Sequence, residues 1–459
     1  MARCPEILKT AIEETLATIA APIDVWMKEG RPFGPGIPAG DGLGSYRTNR
    51  KAMDALARLA DEIRRNDKGL KRAVAEDTAR MAAAWTLGEL LPEFDADPAK
   101  NWKKFRNRMF QRLNQGVVRL THYFPVWIFT PVGVPTFDVG PVRFSSRGDW
   151  LKEIKRRRGK RSSWTDDVEL AWRGYRLPQT LEKANANSVA RSVSGDQWVA
   201  SVTVDGFEPA QSYRRALAAT RAALDALRLV EKAPANAGIR AARDHGPPLN
   251  VDRLHQIDGK DLAHGFAINR QGLRGTPEMA KSMIDDCLGL RRAAGARIDI
   301  YLRPAPTVPT GCPNLSDRWV NALHWYGLGC AADADFQAIL NFVVALDVLC
   351  GGLQENGICR LAERLLQHSE TNPILTDGTT LKALVERLYG YRSEIAHGSI
   401  LGLDEELRQD RAWAEWLTAI MLFAYVFKLE TYAASGGGDD RDAFFNALPL
   451  PAAPAATSA

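Results

Sequence analysis

The chain has 459 residues, more than one ordinary domain and enough for two or three, each with its own core. Apolar residues at 45% and charged residues at 25% exclude a globally disordered chain, and a formal net charge of +5 excludes the charge density of a nucleic-acid coat while leaving room for an anionic partner. Six cysteines without a single C-x-x-C pair exclude a zinc ribbon or a disulfide framework and fit a reducing cytoplasm.

In chain order, the N-terminal residues carry Glu13 and Glu14 in an amphipathic pattern with no apolar core segment, so no signal peptide is expected there. Apolar spacing predicts helices over Ala11–Ile19, Asn49–Asn66, Lys71–Leu91 and Trp102–Leu120. A Gly- and Pro-rich stretch from Gly30 to Tyr46 breaks any regular element and reads as a loop. Bases interleave with aromatics from Trp102 to Leu113, yet Trp102, Phe105, Met109 and Leu113 recur at helical spacing and belong in a core, with the bases on the outer face.

From His122 the character changes. Short β-branched and aromatic runs at Phe124–Phe129, Phe137–Phe144 and Gln197–Val204 predict a small sheet. Helical spacing returns over Ala210–Val230, a Pro- and Gly-rich connector follows, and Ala296–Leu302 alternates like a strand before the prolines at 304, 306 and 309. Four helices then follow, over Ala334–Leu349, Ile358–His368, Thr380–His397 and Gln409–Tyr432. The tail from Ser435 opens with three glycines and ends in Pro, Ala and Ser, a composition expected to stay mobile. The longest apolar run, Trp416 to Phe427, has twelve residues against the roughly 20 a membrane span needs, so no membrane role is expected.

The third of these helices holds the chemistry. Its apolar stripe is Leu381, Leu384, Leu388, Tyr391 and Ile395, and His397 lies on a different line, one turn after Ser393 and three residues after Glu394. Gly390 inside the helix costs about 1 kcal/mol relative to alanine, which suggests that a partner helix or a ligand comes close. Arg392 and His397 are five residues apart, about 140° around an ideal helix, so they converge only if the helix end distorts or two copies contribute. Without further context a helix-ending histidine beside a solvated arginine is an ordinary arrangement. Asp347, among Val343, Val344, Leu346, Val348 and Cys350, needs a partner, and Arg364 or Arg392 is expected to supply it.

The segment Leu388-Tyr389-Gly390-Tyr391-Arg392-Ser393-Glu394-Ile395-Ala396-His397-Gly398 resembles the Arg, four to six residues, His signature of the HEPN superfamily, in detail its Apea-like branch. Ala345–Leu349 and Arg360–Leu366 extend the resemblance upstream, so that it covers about 100 of the 459 residues. It implies a metal-independent endoribonuclease in a bacterial antiviral, abortive-infection-type system: two protomers join their motifs, the ribose 2′-OH attacks the adjacent phosphate, and a cyclic phosphate end is left. On that resemblance His397 is the general acid/base and Arg392 holds the scissile phosphate, with Ser393, Glu394 and Asp347 in support. An imidazole moves protons near neutrality and a guanidinium fork grips phosphate oxygens, so neither role needs a metal or cofactor. Ser393 stands where many family members carry Asn, Asp or His, which keeps open a non-catalytic HEPN module acting as a dimerisation or RNA-binding platform.

One basic run remains, Lys152 to Arg161. Its Lys155, Arg156, Arg157, Arg158, Lys160 and Arg161 suit a phosphate backbone, with Trp150 and Trp164 placed to stack a base, although a solvated loop is the more usual explanation of such a run. Asp138 and Asp149 with Glu153-Ile154-Lys155 faintly resemble a metal-nuclease pattern, and no metal site is expected from it. The whole reads as a multidomain α+β chain: residues 1–120 mostly helical, 121–325 mixed with a small sheet, 326–434 an all-α HEPN-like bundle, and 435–459 a flexible tail. RNA and a second copy are the expected partners.

Overall fold

The computed structural model describes residues 3–21, 36–40, 44–130, 133–158, 163–178, 180–195, 197–231, 235–242, 244, 250–257, 261–268, 272–304, 311–398 and 406–451. The chain is α+β and forms two compact units, one of residues 1–120, 204–215 and 303–306, the other of 121–203, 216–302 and 307–459.

The first unit is largely helical: α1 (Cys4–Ala20), a short ladder of β1 (Ile37–Pro38) and β2 (Ser45–Tyr46), then α2 (Arg50–Asn66), α3 (Lys68–Ala73), α4 (Glu76–Leu90) and α5 (Pro98–Gln115). The predicted helix over Lys71–Leu91 is two helices, because Val74 and Ala75 are extended, and the one predicted to reach Leu120 ends at Gln115. In α5, Phe105, Met109 and Leu113 are buried as the spacing required, while Trp102 is half-buried.

The sheet has β3 (Val118–Trp127), β4 (Phe137–Val139), β5 (Val142–Ser146), β6 (Trp198–Phe207) and β7 (Arg240–Ala241) in the order β4-β5-β6-β3-β7. Between β5 and β6 come α6 (Arg147–Arg158), α7 (Ser163–Trp172) and α8 (Leu181–Ser192); β6 leads into α9 (Pro209–Arg228), and β8 (Asn250–Ile257) pairs with β9 (Asp261–Ile268) as a separate hairpin. The β4–β5 turn is made by Gly140, whose φ of 56° suits glycine, and a Cβ on either Gly140 or Gly295 would run into the backbone of the other. Gly295 belongs to α11, so two missing side chains let the hairpin and that helix touch.

The remaining elements are helices: α10 (Pro277–Asp286), α11 (Leu288–Tyr301), α12 (Pro313–Ala331), α13 (Asp335–Cys350), α14 (Gln354–Leu366), α15 (Leu381–His397), α16 (Arg408–Ala434) and α17 (Arg441–Ala447). Residues 296–302, expected as a strand, lie mostly in α11, where Ala293, Ala294, Arg297, Ile298 and Ile300 are all buried. The apparent alternation arose because the Arg297 guanidinium is itself inside, donating to the Gly311 carbonyl at 3.0 Å. The helical module starts upstream of residue 326, with α12 supplying the buried Trp319 and Tyr326; Trp319 donates its indole N–H to the Leu422 carbonyl at 3.0 Å. α16 is 27 residues long, and its most apolar window would suit a membrane span by length and composition, with 44% of that window buried in the protein.

The tail departs from expectation. Phe444 and Phe445 on α17 are 0% and 3% exposed, Phe444 meeting the Tyr425 and Tyr432 rings edge-on at 5.0 and 5.1 Å. Two aromatic anchors outweigh a glycine-rich composition, and of the tail from Ser435 only residues 452–459 lie outside the described residues.

A buried ionic network crosses the second unit. Arg228 donates to Asp225 at 2.8 Å and to the carbonyls of Gly327 and Asn236 at 2.9 and 3.1 Å; the Asn236 amide reaches Glu415 at 2.5 Å, and Arg221 grips Asp244. A side chain at Gly327 would strike the Asp225 carboxylate.

Candidate active site

α15 begins where the Thr380 hydroxyl accepts the Ala383 N–H at 3.2 Å. Its phase buries Leu381, Leu384, Val385 and Leu388 to 2% exposure or less, and beyond Leu388 no residue of the helix is buried. The stripe therefore stops early: Tyr391 and Ile395 are half-buried rather than core, because the helix runs on past the elements it packs against. It continues unbroken to His397 and ends on Gly398, whose φ of 72° is the left-handed conformation of a helix terminus. With no distortion at the end, Arg392 and His397 stay about 140° apart and about 7.5 Å apart along the axis.

On the Arg392 flank the guanidinium lies 5.6 Å from the centre of the Tyr389 ring. Burial raises the Tyr389 hydroxyl pKa, the Asp347 carboxylate adds to this, and Arg392 pulls the other way. Asp347 and Arg392 thus act on one phenol, but they form no ion pair. Asp347 is half-buried, and its carboxylate accepts the Gln354 N–H at 3.0 Å, bridging the turn from α13 to α14. Arg364, the other expected partner, donates instead to the carbonyls of Phe445 and Leu448 at 2.9 and 2.8 Å. The apolar surroundings of Asp347 misled because it lies in the last turn of its helix, where backbone donors are within reach.

The His397 flank is open. His397 and Glu394 are exposed, Ser393 is half-buried, and nothing lies within 4 Å of where a Cβ on Gly390 would stand. Among the described residues no helix of this chain comes close at Gly390, which leaves the surface beside the histidine clear of them. Among the described residues, the side chains of Arg392, Ser393, Glu394 and His397 have no hydrogen-bond or ion-pair partner, Arg392 keeping only its ring contact.

A third flank carries residues that the sequence reading missed. Arg387 approaches the Asp410 carboxylate with Nε at 2.8 Å and donates Nη2 at 3.0 Å; Tyr391 donates its hydroxyl to the same carboxylate at 3.5 Å. The Arg387 guanidinium lies 5.0 Å from the Trp413 ring centre and 6.0 Å from that of Tyr391. Burial lowers the Arg387 pKa, but the Tyr391 hydrogen bond and the Asp410 charge outweigh it and leave the pKa raised. The Arg387 to Tyr391 spacing was readable as one helical turn; its pairing with a residue 19 to 23 positions away was not.

The basic run is helical and largely occupied with its own acids. Lys155 bridges Asp166 and Glu169 at 2.8 and 2.7 Å, which raises its pKa, while Arg157 pairs with Glu153 at 2.5 Å and Lys152 with Asp149 at 3.2 Å. Arg156 is exposed; the side chain of Arg158, and Lys160 and Arg161 entirely, lie outside the described residues. Trp150, expected as a stacking platform, is 5% exposed in a core with Leu151, Ile154 and Val168, and Trp164 packs against the same core. Asp138 and Glu153 do not meet over a cation site, since Arg143 stands between them at 3.6 and 3.5 Å.

Among the described residues no group of three or more His, Cys, Asp or Glu side chains is arranged to hold a metal ion. Comparison of the chain with protein families, curated proteins and solved structures gives no match.

Proposed function

We propose that the protein is a metal-independent endoribonuclease of a bacterial antiviral, abortive-infection-type system, with a composite site built by two copies from Arg392 and His397. The observation that carries this reading is the pair itself: an arginine and a histidine on an unbroken helix end, on different flanks, with no hydrogen-bonding partner among the described residues of their own chain. Unanswered donors at a surface are available to a ligand, and a guanidinium with an imidazole suits a phosphodiester. In the reaction the RNA 2′-oxygen forms a bond to the adjacent phosphorus and gives its proton to an imidazole. The bond to the 5′-oxygen breaks, and that oxygen leaves with a proton given by the protonated imidazole of the second copy's histidine, while a cyclic phosphate remains. Arg392 holds the phosphate oxygens as their charge redistributes.

Expression of the wild type beside Arg392→Ala and His397→Ala tests the reading, with growth arrest and RNA integrity scored together. Loss of cleavage in both variants, with wild-type cleavage persisting in EDTA, is expected. Variants that cleave as well as the wild type would sink the nuclease reading. RNA bound but uncut by the wild type would favour the non-catalytic platform.

A further inference from the structure

Burial along α15 stops at Leu388, yet the residues proposed for chemistry lie four and nine positions beyond it. The packed turns set the roll of the helix, but they do not hold its last turns against fraying or bending. Asp410 is 4% exposed, in the first turn of α16, and its side-chain partners among the described residues, Arg387 and Tyr391, both belong to α15. A carboxylate enclosed to this degree is costly without partners, so the contact is strongly held. The Nη2–H bond to one Asp410 oxygen, with Nε 2.8 Å from the other oxygen, which has no hydrogen-bond partner among the described residues, is also more directional than the contact of a single ammonium. Trp413, three residues after Asp410, lies against the same guanidinium and limits its movement on the other side.

We propose that Asp410 is a positioning residue for the motif helix, acting through Arg387 and Tyr391 to set where Arg392 and His397 point. On an ideal helix Arg387 and Tyr391 lie about 40° apart, and His397 lies about 80° from Arg387 and about 120° from Tyr391. The anchor therefore leaves the flank of Gly390, Ser393 and His397 clear for RNA or a second copy. The catalytic part of this inference rests on the ribonuclease reading; the mechanical part does not.

The full chain carrying Asp410→Asn or Arg387→Lys separates the two. Amide hydrogen exchange over residues 391–397 should accelerate about tenfold in either variant, while exchange over 381–388 stays at the wild-type rate. On a mixed-sequence single-stranded RNA, kcat should fall by about tenfold with KM held within about twofold, and the double variant should be no worse than the poorer single one. Should Asp410→Asn unfold the module, Tyr391→Phe removes one hydroxyl and should give a weaker form of the same pattern. Unchanged exchange over 391–397, or a rise spread evenly through the module, overturns the anchor. If Arg392→Ala and His397→Ala leave cleavage intact, the ribonuclease reading falls and the exchange result still decides the anchor.

Discussion

Two charged clusters of the second unit follow opposite plans. At Asp225 and Arg228 the ions are enclosed, with the guanidinium satisfied by one carboxylate and two carbonyls and the acid 5% exposed. At the end of α15 the side chains of Arg392 and His397 have no ion-pair partner among the described residues and sit on a helix that has outrun its core. The first arrangement makes the fold depend on the charge; the second makes the charge dispensable to the fold. That asymmetry separates an ion kept for architecture from one left available to a ligand.

The sharpest way to break this comparison is Arg228→Ala. It strands Asp225 in the interior and takes one donor each from the Gly327 and Asn236 carbonyls, so unfolding in urea should show a loss of about 3–5 kcal/mol. A smaller loss, under about 1 kcal/mol, would mean the network is not structural.

The next effect depends on pH. Burial pushes the Asp225 carboxyl up from 3.8 to about 7, Arg228 opposing it and Asp244 adding to it. Between those values the folded chain holds a proton that the unfolded chain has released, so this group's stabilisation is complete below about pH 4 and is lost as pH rises to about 7. Half-buried His324, with its pKa lowered mainly by burial and then by Arg221, gives the opposite slope below 6.5. The difference between wild type and Asp225→Asn isolates the acid: urea midpoints at pH 5 and pH 8 should shift less in the variant. Equal shifts would remove Asp225 from the account.

The smallest effect is expected where the charge is free. Arg392→Ala and His397→Ala should each change unfolding free energy by no more than about 0.5 kcal/mol. A loss of 2 kcal/mol or more, roughly, would show that the motif end is a structural element after all.

Much of this was legible before any coordinates. The helices over Arg50–Asn66, Pro209–Arg228, Asp335–Cys350 and Leu381–His397 follow from apolar spacing and propensity, and the strands Phe137–Val139, Val142–Ser146 and Trp198–Phe207 from β-branched and aromatic runs. Arg392, Ser393 and His397 were legible as a motif. What stayed hidden depended on neighbours distant in sequence. The apolar stripe of α15 promised burial at Tyr391 and Ile395, but how far a helix extends past its support is set by the lengths of the helices beside it. Asp347 looked stranded because local composition does not show that a turn supplies the Gln354 N–H. Asp410 gave no signal, since its partners are 23 and 19 residues away on another helix.

The docking of α17 has a practical side. Arg364 reaches across to the carbonyls of Phe445 and Leu448, and Tyr425 meets Phe444, so the final turns act as a plug in the helical module rather than as a trailing end. A chain cut back to residue 434 would uncover an aromatic socket and leave a guanidinium searching for acceptors. Such a trimmed protein should be stickier than its parent, and loss of RNA cleavage in it would say little about catalysis.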